Sequence, residues 1–327
     1  MPVTIVSKGY DSAVDNVVLW LTYFFKMTVL RIGADNNIHF RSFSLNNLDK
    51  IEISNAYDVK VDLGSCTAIW IHGCDYIFQT CEEVDDFDIK QQVEQQISQD
   101  YSAIFFSYIQ FLHAFCPNVK VIGEFSDFTQ RKIYQLLVAK NVGLAIPDSD
   151  IITDYDYLLA LFKKRELITK SVQNSVYINT SKILVSGQRT ENISASNVNL
   201  HEGIFHPSFV QHKIEKLYEL RVFIFQNIIY SLAIFSQFDS STRTDYRTWD
   251  NDKLRFVPYE LPNEVKQRLL SLMNTLKLTT GSIDIIVTPN YEYVFLEINP
   301  CGQFSFVSSY CNYYIEKEIA QSLCNSN

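Results

Sequence analysis

Apolar positions along the chain recur at two spacings, and the switches between them divide it into elements. Residues 2–7 (PVTIVS) are β-branched and alternate, which predicts a strand. Residues 12–25 carry apolar side chains at helical spacing, with Asp11 or Ser12 placed to cap a helix. The run AIWIH at 68–72 predicts a short buried strand, residues 89–115 a long helix that stops near Pro117, and VKVIG at 119–123 another strand. This alternation of strand and helix predicts an N-terminal α/β lobe over residues 1–125.

Residues 126–142 read as a helix, because Ser126 and Asp127 can cap it and Gly143 can close it. An extended piece from Pro147, a helix at 155–165 and a strand at 167–170 follow. Residues 173–200 are polar and strand-like, which fits either a lid hairpin or plain surface loops. With them the second lobe runs over 126–205. The third, 206–327, is mostly β. Its strands are expected at 209–213, 220–225, 228–235, 282–287 and 293–298, with helices at 263–276 and 310–323. The pattern as a whole is α/β with α+β lobes, without internal repeats.

Composition narrows the function classes. Of the 327 residues 47% are hydrophobic, enough for packed cores, yet the longest apolar runs are far too short to span a bilayer. Seven cysteines without a C-x-x-C pair, and an N-terminus without signal-peptide character, predict reduced thiols in the cytoplasm. A net charge of −9 and the acidic run at 81–88 argue against a nucleic-acid partner. No G-x-x-x-x-G-K loop is present, which disfavours P-loop chemistry.

The segment GSIDIIVTPNYEYVFLEINPCGQ (281–303) carries the candidate chemistry. Two strand-like runs flank the turn residues Thr288-Pro289-Asn290. A simple hairpin would set Asp284 beside Glu297, and Asn299, two residues beyond Glu297, would share its face. Three oxygen donors would converge, a set that suits Mg2+ completed by phosphate oxygens. The competing reading is ordinary solvent-facing polar residues, although Glu297 sits within the apolar run VFLEI and needs a partner there.

The sequence D-x-x-V followed by F-L-E-I-N-P resembles the C-terminal metal motif of ATP-grasp enzymes. Within them it is similar to the graspetide, or microviridin-type, ligases that mature ribosomal peptides, and the tail at 295–323 looks like that of the grasp-with-spasm maturases. The resemblance extends over the helix DSAVDNVVLWL (11–21), TQRKIYQLLVAKNVGLAIPDSDIIT (129–153), LITK (167–170) and HPSFVQHKIEKLYELRVFIF (206–225). It departs at AIWIHGCDY (68–76), where related sequences carry an arginine-containing tryptophan motif. This leaves His72 and Asp75 without an assigned role, His72 reading as structural.

The resemblance implies an ATP-grasp fold: a pre-ATP-grasp α/β lobe, a central lid lobe and a C-terminal antiparallel-sheet lobe. It implies that Lys132 and Lys170 hold phosphates, that the hinge Gln211, His212, Lys213 and Ile214 meets the adenine edge, and that Glu219 binds the ribose. Arg221, Arg247 and Asp245 would act on the transferring phosphoryl group, and Asp284, Glu297 and Asn299 would bind Mg2+. The implied activity is ATP-dependent activation of Asp or Glu side chains of a precursor peptide, leader and core, closing macrocyclic esters or amides onto Thr, Ser or Lys. A homodimer is expected. Two alternatives share the motif: ligases that join small molecules or add amino acids to proteins, and a catalytically silent peptide-binding module. The silent module predicts damaged nucleotide ligands, whereas Lys132, Lys170, Glu219, Asp284, Glu297 and Asn299 are all in place.

Overall fold

The computed structural model describes residues 2–7, 11–33, 39–44, 47–54, 60–62, 66–73, 85–116, 118–123, 132–172, 176–180, 182–187, 190–194, 203–235 and 254–325. The chain forms two compact units, residues 1–125 with 300–327, and residues 126–299. The tail 300–327, which the sequence pattern carries with 206–299, therefore groups with the N-terminal lobe.

The first unit opens with β1 (Val3–Ser7) and α1 (Ser12–Leu19), the Asp11 carboxylate accepting from Ala13 N–H at 3.0 Å as the helix cap. The expected helix over 12–25 changes character at Leu19. Trp20–Phe24 winds as a π turn, with Phe25 N–H reaching Trp20 C=O at 3.1 Å. There follow β2 (Val29–Ile32), a small antiparallel sheet of β3 (His39–Ser44), β4 (Asn47–Ser54) and β5 (Lys60–Asp62), then β6 (Ala68–His72), α2 (Phe87–Phe115) and β7 (Lys120–Ile122). Strands β2-β1-β6-β7 form a parallel sheet. β1 and β6 are buried throughout: β6 reads as an apolar run, whereas β1 reads as alternating and proves to bury Thr4 and Ser7 as well. Just beyond β7 only glycine fits at 123: its φ is +82° and a Cβ there would lie 2.1 Å from Ile71 C=O.

The second unit starts at α3 (Lys132–Asn141); the caps Ser126 and Asp127 expected for that helix lie outside the described residues. β8 (Ser149–Asp154), α4 (Tyr155–Phe162) and β9 (Leu167–Thr169) follow, then the hairpin β10 (Val176–Asn179) and β11 (Leu184–Gly187), the short β12 (Glu191–Asn192) and β13 (Ile204–His212). One sheet runs β12-β9-β13-β8. The other is antiparallel: β14 (Tyr218–Phe225), β15 (Ile228–Phe235), β16 (Arg255–Pro258), then after α5 (Asn263–Thr275) β17 (Thr280–Val287) and β18 (Tyr293–Asn299), in the order β16-β15-β14-β17-β18. α3 and α5 close its apolar face: Leu136, Ala139, Leu269 and Leu272 pack in one core with Leu220, Val222, Ile283, Ile285, Phe295 and Ile298.

The tail forms α6 (Ser305–Cys311) and α7 (Ile315–Cys324) where a single helix over 310–323 is expected. Asn312 and Tyr314 both have φ of 54°, in the left-handed region, which ends one helix and starts the next. Among the described residues no helix is long and apolar enough to cross a membrane.

Candidate active site

The ligand hairpin forms with one feature that period counting does not contain. From Val287↔Tyr293 to Ile285↔Phe295 the pairing is regular, and a bulge follows, so that Asp284 stands opposite Glu297 and Ser282 opposite Asn299. Regular alternation from Phe295, a core residue, would turn Glu297 into the core. The bulge at Leu296 re-phases the strand so that Ile298 enters the core and Glu297 and Asn299 flank it on the other face. Across the next strand Arg221 stands opposite Asp284. Arg221, Asp284 and Glu297 are thus neighbours in a row across β14, β17 and β18.

The two carboxylates stand side by side in this row, with a cation on the outer flank of each. Arg221 Nη1 donates to Asp284 Oδ1 at 2.7 Å, both side chains nearly buried. Lys132, the first residue of α3, places Nζ 3.6 Å from Glu297 Oε2 and 3.4 Å from the carbonyl of Ser171. Each carboxylate so has a cation beside it, which a half-buried charge requires. Glu219, on the face of β14 that carries Arg221, pairs with Lys216. Lys216 was not among the sequence candidates; its signal is the three-residue spacing in E-K-L-Y-E.

No family model and no curated protein matches the chain. Solved structures do. The macrocyclase MdnC from Microcystis aeruginosa MRC, bound with precursor peptide MdnA, superposes with a TM-score of 0.80 at 24% identity, covering 100% of both chains. A RiPP-associated ATP-grasp ligase from Chryseobacterium gregarium, in complex with ADP and a leader and core peptide, gives 0.80 at 23% identity over 99% of this chain and 97% of that one. The ATP-grasp ligase PsnB, complexed with minimal precursor, Mg and ADP, gives 0.70 at 16% over 98% and 96%. The chain has the ATP-grasp fold.

Within this ATP-grasp fold the remaining candidates occupy the second unit. Lys170 follows β9 directly, its ammonium 5.8 Å from the centre of the Phe209 ring. Gln211 and His212 end β13, and Lys213 and Ile214 continue it. Gln211 is buried and its amide donates to Ser149 Oγ at 2.8 Å, so its side chain serves the sheet. The N–H groups of His212 and Lys213 donate to the carbonyls of Asp148 and Glu166, both at 2.9 Å. Hinge donors at 212 and 213 are therefore taken up inside the fold. Asp245 and Arg247 lie outside the described residues, as does Asp75.

The donor set fits a hard divalent cation. Among the described residues no group of three or more His, Cys, Asp or Glu side chains could hold a metal. Two carboxylates and an amide oxygen on one sheet face are a partial shell of the kind Mg2+ shares with phosphates. His72 belongs elsewhere, at the end of β6 in the first unit. It is fully buried, stacked on Trp70 with ring centres 4.9 Å apart, and among the described residues neither ring nitrogen has a hydrogen-bond partner. Burial pushes its pKa down to about 4, against the pull of Asp11, whose Oδ2 is 3.7 Å from Nε2.

Proposed function

We propose that the protein is an ATP-dependent carboxylate ligase that activates Asp or Glu side chains of a ribosomal precursor peptide and closes them onto Thr, Ser or Lys side chains as macrocyclic esters or amides. The observation that carries this reading is the row Arg221–Asp284–Glu297–Lys132, two carboxylates each flanked by a cation on the polar face of the antiparallel sheet. Neighbours of the same fold solved with ADP, Mg and precursor peptides support the substrate class.

A carboxylate is a poor electrophile because its oxide leaves badly. In the first step a substrate carboxylate oxygen attacks the γ-phosphorus of ATP. The bond to the β,γ-bridging oxygen breaks, and an acyl phosphate and ADP result. In the second the hydroxyl or amine attacks the acyl carbon, loses its proton, and inorganic phosphate leaves. Lys132 and Lys170 hold phosphate oxygens as point charges, and Arg221, with Arg247 and Asp245, steadies the charge on the phosphoryl group in flight. Glu219 takes the ribose, and the hinge 211–214 takes the adenine edge through backbone groups other than the N–H donors of 212 and 213, which the fold already uses. Asp284, Glu297 and Asn299 would hold Mg2+, which when bound neutralises charge on the phosphates. We further assign the cytoplasm, on the thiol content, and a homodimer, which light scattering would replace by a monomer mass if wrong.

Incubation with ATP, Mg2+ and a precursor peptide encoded beside the gene is expected to release ADP and remove one water mass per ring. A mass gain would instead indicate addition of amino acids. Unchanged mass with no ADP release sinks the reading.

A further inference from the structure

Gln135 is nearly fully buried on α3, one turn beyond Lys132 and on the same side of the helix. Its amide makes two bonds to one residue of the edge strand β18: Nε2 donates to Ile298 C=O at 2.8 Å, and Ile298 N–H donates to Oε1 at 3.1 Å. The peptide groups engaged are the one that joins Glu297 to Ile298 and the one that joins Ile298 to Asn299. A single side chain therefore grips the main chain on the inner flank of both oxygen donors. The opposite side of Ile298 is fixed as well. A Cβ at Gly281 would sit 2.9 Å from Ile298 Cδ1, so glycine there lets the isoleucine seat against β17. Further along the same edge Phe295 N–H donates to Ala145 C=O at 2.8 Å. The bulged strand, which twists and loosens ladders, is thus pinned on both sides of its irregularity.

We propose that Gln135 is a positioning residue for the metal and phosphate end of the site. Its amide locks the first turn of α3, which carries Lys132, to the stretch of β18 that carries Glu297 and Asn299. This rests on the ligase reading above. Positioning and stability separate, because only positioning ties the amide to Mg2+. Gln135→Met keeps the volume and removes both bonds, Gln135→Glu keeps the acceptor and removes the donor, and Val138→Ala, in the core on the same helix, lowers stability while leaving both amide bonds to Ile298 in place.

Three readouts decide: deuterium uptake of a peptide spanning 293–299, melting temperature, and the Mg2+ concentration that half-saturates ADP binding. The expected result is faster exchange in Q135M and a Mg2+ half-point raised about tenfold or more, with Q135E between it and wild type and V138A destabilised at an unchanged half-point. If Q135M does not fold, Q135E against V138A carries the same comparison. A Mg2+ half-point that moves no further in the Gln135 variants than in V138A overturns the proposal and leaves the ligase reading standing. Failure of the wild-type protein to bind ADP with Mg2+ overturns that reading, and the proposal with it.

Discussion

Two sheets of this molecule each hold ionisable side chains, and they treat them in opposite ways. The parallel sheet of the first unit seals His72 among Trp70 and Phe304, with no hydrogen-bond partner among the described residues and its pKa driven down to about 4. The antiparallel sheet of the second unit sets Asp284 and Glu297 on its polar face, each beside a cation. A neutral imidazole costs less to bury than an imidazolium, and stacked on Trp70 it serves as a packing element. Charged pairs cost more to hold than an apolar replacement of the same shape, so their retention points to use. The contrast teaches where to look for chemistry: among the ions that remain paired and half open.

The largest test of this contrast is Glu297→Gln. The substitution keeps the shape and removes the charge, so precursor dehydration followed by mass spectrometry is expected to fall about a thousandfold. Wild-type rates in this variant would break the assignment of the row. Asp284→Ala comes next and is read as stability. It leaves the buried Arg221 guanidinium without the carboxylate it faces at 2.7 Å. An unfolding free energy lowered by roughly 3 kcal/mol in chemical denaturation is expected, whether or not ATP is present.

The third test is made in the first unit, by pH. In the unfolded chain His72 titrates at its ordinary value of 6.5, and in the fold at about 4. Between these values the unfolded state binds the proton and the folded state does not. The contribution is therefore fully present above pH 6.5 and is lost as pH falls toward 4. Each unit crossed removes up to about 1.4 kcal/mol. Urea titrations across this window are expected to show the loss in wild type and a flatter profile in His72→Phe. Parallel profiles would mean that the imidazole is already charged in the fold.

How far the sequence carries the reader differs between the regions for physical reasons. Counting around the turn sets Asp284 beside Glu297, but the regular pairing from Val287↔Tyr293 leads Asp284 to Leu296, and only the bulge brings Glu297 there. That bulge was not legible, because the one-residue phase shift falls inside the apolar run VFLEI and reads as continuous strand. Gln135 was equally silent, since a polar residue in an amphipathic helix reads as solvent-facing until the strand edge it satisfies is seen. Strands at 39–62 went unread because their apolar positions are few, although F-R-S-F and L-D-K-I-E-I do alternate. Asp245 and Arg247 rest on resemblance alone.

The smallest effect concerns the one helix that the sequence merged. Neither glycine nor proline marks the break at 312, and the apolar period runs through it, so 310–323 reads as continuous. Asn312 instead takes φ 54° and ψ 40° as the C-terminal residue of α6, the left-handed position that asparagine tolerates better than other side chains and glycine better still. Ser308 Oγ then receives Ile315 N–H at 3.0 Å and starts α7. Asn312→Gly removes the remaining steric cost at that φ but loosens the unfolded chain, so a net gain of only about 0.5 kcal/mol in thermal stability is expected. The Mg2+ dependence of ADP binding should not change, because the substitution lies in the unit whose polar groups are packed away from chemistry. A loss of stability would mean that the asparagine side chain, and not the backbone turn, holds the two helices apart.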